Sequence, residues 1–95
     1  MFKTTIDYTN EKFLITNESV MDLVMDVLQI LNKIKKITIK GKGESCPTTV
    51  SVANIITQNM LKGNSKTEEI SVGSEASDDG RLISTIEIII TKINS

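Results

Sequence analysis

The chain has 95 residues, of which 39% are hydrophobic, with a formal net charge of −1 and a sequence pI near 5.4. That length suits one domain over residues 1–95 with room for one core, and the apolar content excludes a disordered tail. The near-neutral charge excludes a uniformly basic coat for nucleic acid or membrane, and it does little to keep copies of the chain apart.

Residues 1–11 are polar and are expected to be loose, which sets the core at about residues 12–93. No apolar leader is visible there, and no run approaches bilayer-spanning length. Phe13-Leu14-Ile15 reads as a short strand. Thr16-Asn17-Glu18-Ser19 reads as a turn, with Ser19 and Asp22 at capping-box spacing before a helix. In that helix Val20, Val24, Val27, Leu28, Leu31 and Ile34 recur at three- and four-residue steps. Its acids fall early and its lysines late, which suits the helix dipole.

Ile37-Thr38-Ile39-Lys40 alternates and is β-branched, so it reads as a strand with both isoleucines inward. Gly41-Lys42-Gly43 is expected to end it. Pro47 suits the first turn of a second helix running to about Leu61, with Val50, Ala53, Ile56 and Met60 on one stripe and Gly63 as its cap. A hairpin follows. Glu69 to Glu75 alternates, Asp79-Gly80 signals a turn, and Arg81 to Ile93 resumes as a long strand. That last strand carries isoleucine on both faces, which implies cover on both sides. A partner subunit could supply the second cover. The order is β-α-β-α-β-β, an α/β two-layer class with a mixed sheet and an extended C-terminal hairpin.

The chemistry is sparse. The segment IKGKGESCP fails the Walker A pattern. It also fails the dinucleotide fingerprint, because Cys46 stands where a third glycine belongs. Two readings of the loop remain: a strand-to-helix turn needing positive φ, and exposed amides of Gly41 and Gly43 meeting phosphate beside Lys42. The chain has no histidine, so Cys46 cannot belong to a Cys–His pair, and a capping or half-buried thiol is its reading. Asp78 and Asp79 belong to a turn. No spacing points to a metal, a cofactor or catalysis. With one cysteine the chain forms no internal disulfide, which fits an intracellular setting: cytoplasm, nucleus or nucleoid. Lys33, Lys35, Lys36, Lys40 and Lys42 fall in one window without an acid, a basic patch on an acidic chain.

Three stretches together resemble one family. SVMDLVMDVLQILNK, ITIKGKGESCPTTV and ISVGSEASDDGRLISTIEIIITK follow, in order, the first helix, the second strand and the hairpin of the Alba family of DNA- and RNA-binding proteins. Val72-Gly73-Ser74, Asp79-Gly80-Arg81 and Ser84-Thr85-Ile86-Glu87-Ile88 are the most specific agreement. The resemblance covers about Phe13 to Lys92. It implies a homodimer, or a heterodimer with an Alba-like paralogue, through the second helix and hairpin, with Ile56, Met60, Ile83 and Ile89 as interface candidates. It also implies a nucleic-acid surface built from the turn before the first helix (Asn17, Ser19), the glycine loop (Lys40, Gly41, Lys42, Gly43) and the hairpin arm (Arg81).

This chain departs from the family pattern by losing charge. Asn17 and Glu18 stand where a Lys-Lys pair is typical, and Glu44 where arginine is common. With two or three cationic contacts per subunit, a dimer would show a salt slope of roughly −3 to −5, too shallow for general coating of chromatin. The expected function is backbone-led, weakly sequence-specific binding, RNA before DNA, because so few aromatics leave little for base stacking. An alternative is an acidic interaction subunit paired with a basic Alba-like partner, as related proteins pair in ribonuclease P and MRP complexes.

Overall fold

The computed structural model describes residues 12–93; residues 1–11, where a loose segment is expected, and residues 94–95 lie outside the described residues. Six regular elements follow in the expected order: β1 (Lys12–Leu14), α1 (Val20–Ile34), β2 (Lys36–Lys42), α2 (Cys46–Ile55), β3 (Ser65–Ala76) and β4 (Leu82–Lys92). The strands form one four-stranded sheet in the order β1-β2-β4-β3. β1 runs parallel to β2, while β4 is antiparallel to both its neighbours. The mixed sheet and its helix layer are those the sequence implies.

Alternation sorts the sheet into two faces. Ile37 and Ile39 of β2 and Ile88 and Ile90 of β4 are fully buried under the helices. Leu23, Val24, Val27 and Leu31 of α1 close the core from above, together with Val52, Ala53 and Ile56. α1 starts where Ser19 Oγ accepts the N–H of Asp22 at 3.2 Å, and ends at Lys35 in a left-handed conformation. The last strand is thus covered on its even-numbered side, while Ile83 and Ile89 on the other side are only half-buried.

Three expectations for the second helical segment need correction. First, its buried stripe is Thr49, Val52, Ala53 and Ile56, whereas Val50 and Met60 are exposed. The helix is turned so that Thr49 rests on Gly41, as described below. Second, regular α-helix stops at Ile55 and a π-helical turn spans Ile56–Met60. The Thr57 hydroxyl donates to the Ala53 carbonyl at 2.9 Å, and the Leu61 N–H reaches back to the Ile56 carbonyl at 2.7 Å. A side chain competing for helical carbonyls is a common source of such widening. Third, Ile56 is completely enclosed by the chain's own core, so it offers nothing to a partner subunit.

β2 and β3 are longer than expected. Gly41 and Lys42 stay within β2, pairing with Ile86 and Thr85 of β4. β3 begins at Ser65 and accommodates Glu68 as a bulge between Thr67 and Glu69. Among the described residues no helix is long and apolar enough to cross a membrane.

Candidate nucleic-acid interface

Parallel pairing of β1 with β2 brings the starts of α1 and α2 to one end of the sheet. The Ile15 N–H donates to the Lys40 carbonyl at 2.8 Å, fixing the Asn17–Ser19 turn beside the end of β2. Past Lys42 the chain turns through Gly43, whose φ of +54° lies in the left-handed region, into a short 3₁₀ turn and then α2. Gly43 and the hairpin tip (Ser77, Asp78, Asp79, Arg81, Leu82, Ile83) line one depression. Of the three expected contributors, the glycine loop and the hairpin arm border this depression, while the Asn17–Ser19 turn lies beside the end of β2 and outside its lining.

Individual residues differ from expectation. Gly43 is the turn residue, but Gly41 is a buried strand residue whose carbonyl accepts a long hydrogen bond from the Cys46 thiol at 3.7 Å. It presents no exposed amide to a phosphate. Its requirement is space: a β-carbon there would lie 2.0 Å from Thr49 Oγ1. The Ser19 hydroxyl is occupied as the helix cap. The Ser84 carbonyl lies at the same 3.7 Å and is the alternative acceptor for the single Cys46 S–H, which sets the thiol between loop and hairpin. Asn17, Lys42 and Arg81 are exposed.

The electrostatics hold what the sequence does not show. Lys40 and Lys42 stand on the open face of the sheet, opposite the helices, and acids meet them there. The Lys40 ammonium donates to Glu75 Oε2 at 2.7 Å and lies 3.6 Å from Glu87. Lys42 lies 3.1 Å from the other oxygen of Glu75. Glu87 is shared with Lys12 at 3.2 Å, and Lys36 pairs with Glu68 at 2.9 Å. The hydrogen bond from Lys40, then that from Lys42, holds the Glu75 carboxyl below its ordinary range; the same Lys40–Glu75 bond raises Lys40. Arg81 is also engaged. Its Nε–H donates to Asp79 at 3.0 Å, and the hydroxyl of Ser77 donates to the same carboxylate, holding Asp79 low.

Sequence reasoning places Glu75 in an acidic hairpin tip and gives Glu87 no role. Their parity is the missed signal. Once β4 lies between β2 and β3, Glu75, Glu87, Lys40 and Lys42 must share one face. Among the described residues, no group of histidine, cysteine, aspartate and glutamate could hold a metal.

The expected interface residues do not share a surface. Ile56 is in the core, Met60 is exposed beyond α2, and Ile83 and Ile89 lie on the open face of β4. On the helix side of the hairpin, Ile70, Val72 and Leu82 are 58%, 78% and 76% exposed. They extend past the helix layer that covers the rest of that face.

The fold and site define a two-layer α/β domain with a long hairpin arm beside a strand-to-helix glycine turn. The Alba family profile matches residues 11–74, more than half of the chain. The protein belongs to the Alba family, whose members generally bind nucleic acids. Its structure is similar to that of Alba from Thermoplasma volcanium, with a TM-score of 0.75 and 28% identity over 86% of this chain and 100% of that one. It also shares its fold with ALBA1 from Trypanosoma brucei, with a TM-score of 0.72 and 17% identity over 92% of this chain and 73% of that one.

Proposed function

We propose that this protein is a dimeric, non-enzymatic nucleic-acid binder that reads the phosphate backbone and favours RNA over DNA. The observation that carries this reading is that β2 of an Alba domain carries Lys40 and Lys42 directly into Gly43, which borders one depression with Arg81 of the hairpin arm. Two lysines two residues apart on a strand lie about 6.6 Å apart. That spacing is on the order of one nucleotide step of an extended single strand. Phe13, the aromatic residue among those described, packs against the core, so it is no stacking platform. Contact is then backbone-led and weakly sequence-specific. The setting is intracellular, in cytoplasm, nucleus or nucleoid.

Family proteins form oligomers, and the uncovered helix-side face of the hairpin, with Ile70, Val72 and Leu82, is the surface we assign to a second copy or an Alba-like paralogue. A heterodimer with a more basic paralogue is the second reading. What favours it is the pairing of Lys40, Lys42 and Arg81 with acids of the same chain.

The test is a salt titration by fluorescence anisotropy, using the purified chain with a single-stranded RNA and a DNA duplex of matched length. Tighter binding to RNA with a negative salt slope is expected. No binding to either probe at low salt would remove direct recognition and leave the heterodimer reading.

A further inference from the structure

A cluster of ion pairs around Lys40 sits on the surface assigned above to nucleic acid, so this inference rests on that reading and deepens it. Glu75 extends from β3 and its two oxygens take different lysines, Lys40 at 2.7 Å and Lys42 at 3.1 Å. To do so it spans β4, whose residues at these levels, Thr85 and Glu87, lie between the partners. Thr85 is small and its other neighbour is Gly73, which leaves a low trough over which the side chains meet. Glu87 adds a second acid 3.6 Å from Lys40. The arrangement is closed on itself. One carboxylate with two oxygens occupies two ammonium groups in the way a phosphate with two free oxygens would.

We propose that Glu75 is an internal phosphate mimic that holds Lys40 and Lys42 in a self-neutralised state, so that RNA binds by displacing the Glu75 carboxylate. The contact is an autoinhibitory one built into the sheet. Glu75 is half-buried and Lys42 exposed, while the Lys40 side chain is 19% exposed, so displacement needs only rotation of the Glu75 side chain, and the pairing is weak enough for a polyanion to compete. A strand competes better than a lone phosphate, because contacts elsewhere along it raise the local concentration of the phosphate that replaces Glu75.

The experiment measures binding of a single-stranded RNA, by anisotropy across a salt series, for five proteins. These are the wild type, Glu75→Gln, Lys40→Ala with Lys42→Ala, the triple variant that combines all three changes, and Asp26→Asn. The last removes the same charge from the exposed side of α1. Glu75→Gln is expected to bind roughly twofold to thirtyfold tighter, the range that two released surface pairs supply. Its salt slope is expected to steepen by up to about 1.4 per subunit, at about 0.7 per phosphate newly held on a single strand. The triple variant should not show the gain, and neither should Asp26→Asn. Equal gains in Glu75→Gln and Asp26→Asn would reduce the effect to net charge and overturn the latch. So would a gain that survives removal of both lysines. If Glu75→Gln matches the wild type while Lys40→Ala with Lys42→Ala still weakens binding, the latch falls and the proposed function stands. If no variant binds, both fall.

Discussion

Gly41 and Thr49 approach so closely that a single methyl group on the glycine would stand 2.0 Å from the threonine hydroxyl and 2.8 Å from the Ser45 carbonyl. This contact joins the end of β2 to the first turns of α2, and it orients the helix so that Thr49 rather than Val50 points inward. The Thr49 hydroxyl is held by its donation to the Ser45 carbonyl at 2.8 Å, so it cannot simply swing away. Gly41→Ala is therefore an overpacking substitution against backbone. It should cost about 1–3 kcal/mol or more in urea unfolding. A variant as stable as the wild type would mean that α2 shifts freely on the sheet.

Acid should loosen the ion pairs on the open face of the sheet. Glu75 has an ordinary value of 4.5, and its folded value is lower because Lys40 and Lys42 bond to it. A depressed carboxylate contributes stability above its ordinary value and loses it as pH falls through the folded one. The same sign holds for Glu68, lowered by Lys36, and for Asp79, lowered by Ser77. These groups are exposed, so the stability lost below pH 4.5 is small. Binding moves the other way. Protonated Glu75 no longer occupies Lys40, whose ordinary value of 10.5 lies far above this range, so the ammonium keeps its charge. Affinity for oligouridine, whose bases do not take up protons there, should rise as pH falls through the carboxylate range. Other carboxylates are neutralised in the same interval, so the readout is a difference: the rise should be smaller in Glu75→Gln. Parallel curves for the two proteins would show that Glu75 does not govern the lysines.

Dimerisation should depend on one face of the hairpin and not the other. Val72 is 78% exposed on the helix side, so an aspartate there disturbs no core contact of the chain itself. In the proposed interface it would be buried without a partner, which costs far more than the missing apolar area. Val72→Asp should run as a folded monomer by light scattering at concentrations where the wild type is a dimer. Ile89→Asp lies on the open face of β4 and should keep the dimer mass. The opposite pattern would move the interface to the open face, where the sequence alone puts Ile83 and Ile89.

The sequence makes the element order legible because each helix and strand has a strong period and clear punctuation. Ser19, Pro47 and Gly80 mark boundaries close to those observed, whereas Gly63, expected to cap the second helix, lies beyond the cap residues Ile56 and Leu61. The roll of α2 is hidden, because Val50 and Val52 are equally apolar and the choice depends on Gly41 across the interface. Hidden too is the partnering of Lys40 and Lys42. Glu75 is 35 residues from Lys40 along the chain, and strand order, not composition, brings them together. The basic window is legible as a set of residues, but its charge is not free.

Lys40→Ala with Lys42→Ala is the substitution on which the functional reading depends. Both side chains leave the sheet on its open face, and neither contributes to the core, so the fold and the dimer should survive. Backbone contacts carry little sequence information, so affinity should drop by a similar factor for RNAs of unrelated sequence. The salt slope should become shallower by about 0.7 for each phosphate that is no longer neutralised. Because Glu75 already competes for these lysines in the wild type, the drop should be modest in that background and larger when Glu75→Gln is present. Affinity and slope both unchanged in the double variant would take the β2 lysines out of the interface. Arg81 and the Asn17 turn would then be the next positions of the proposed surface to substitute.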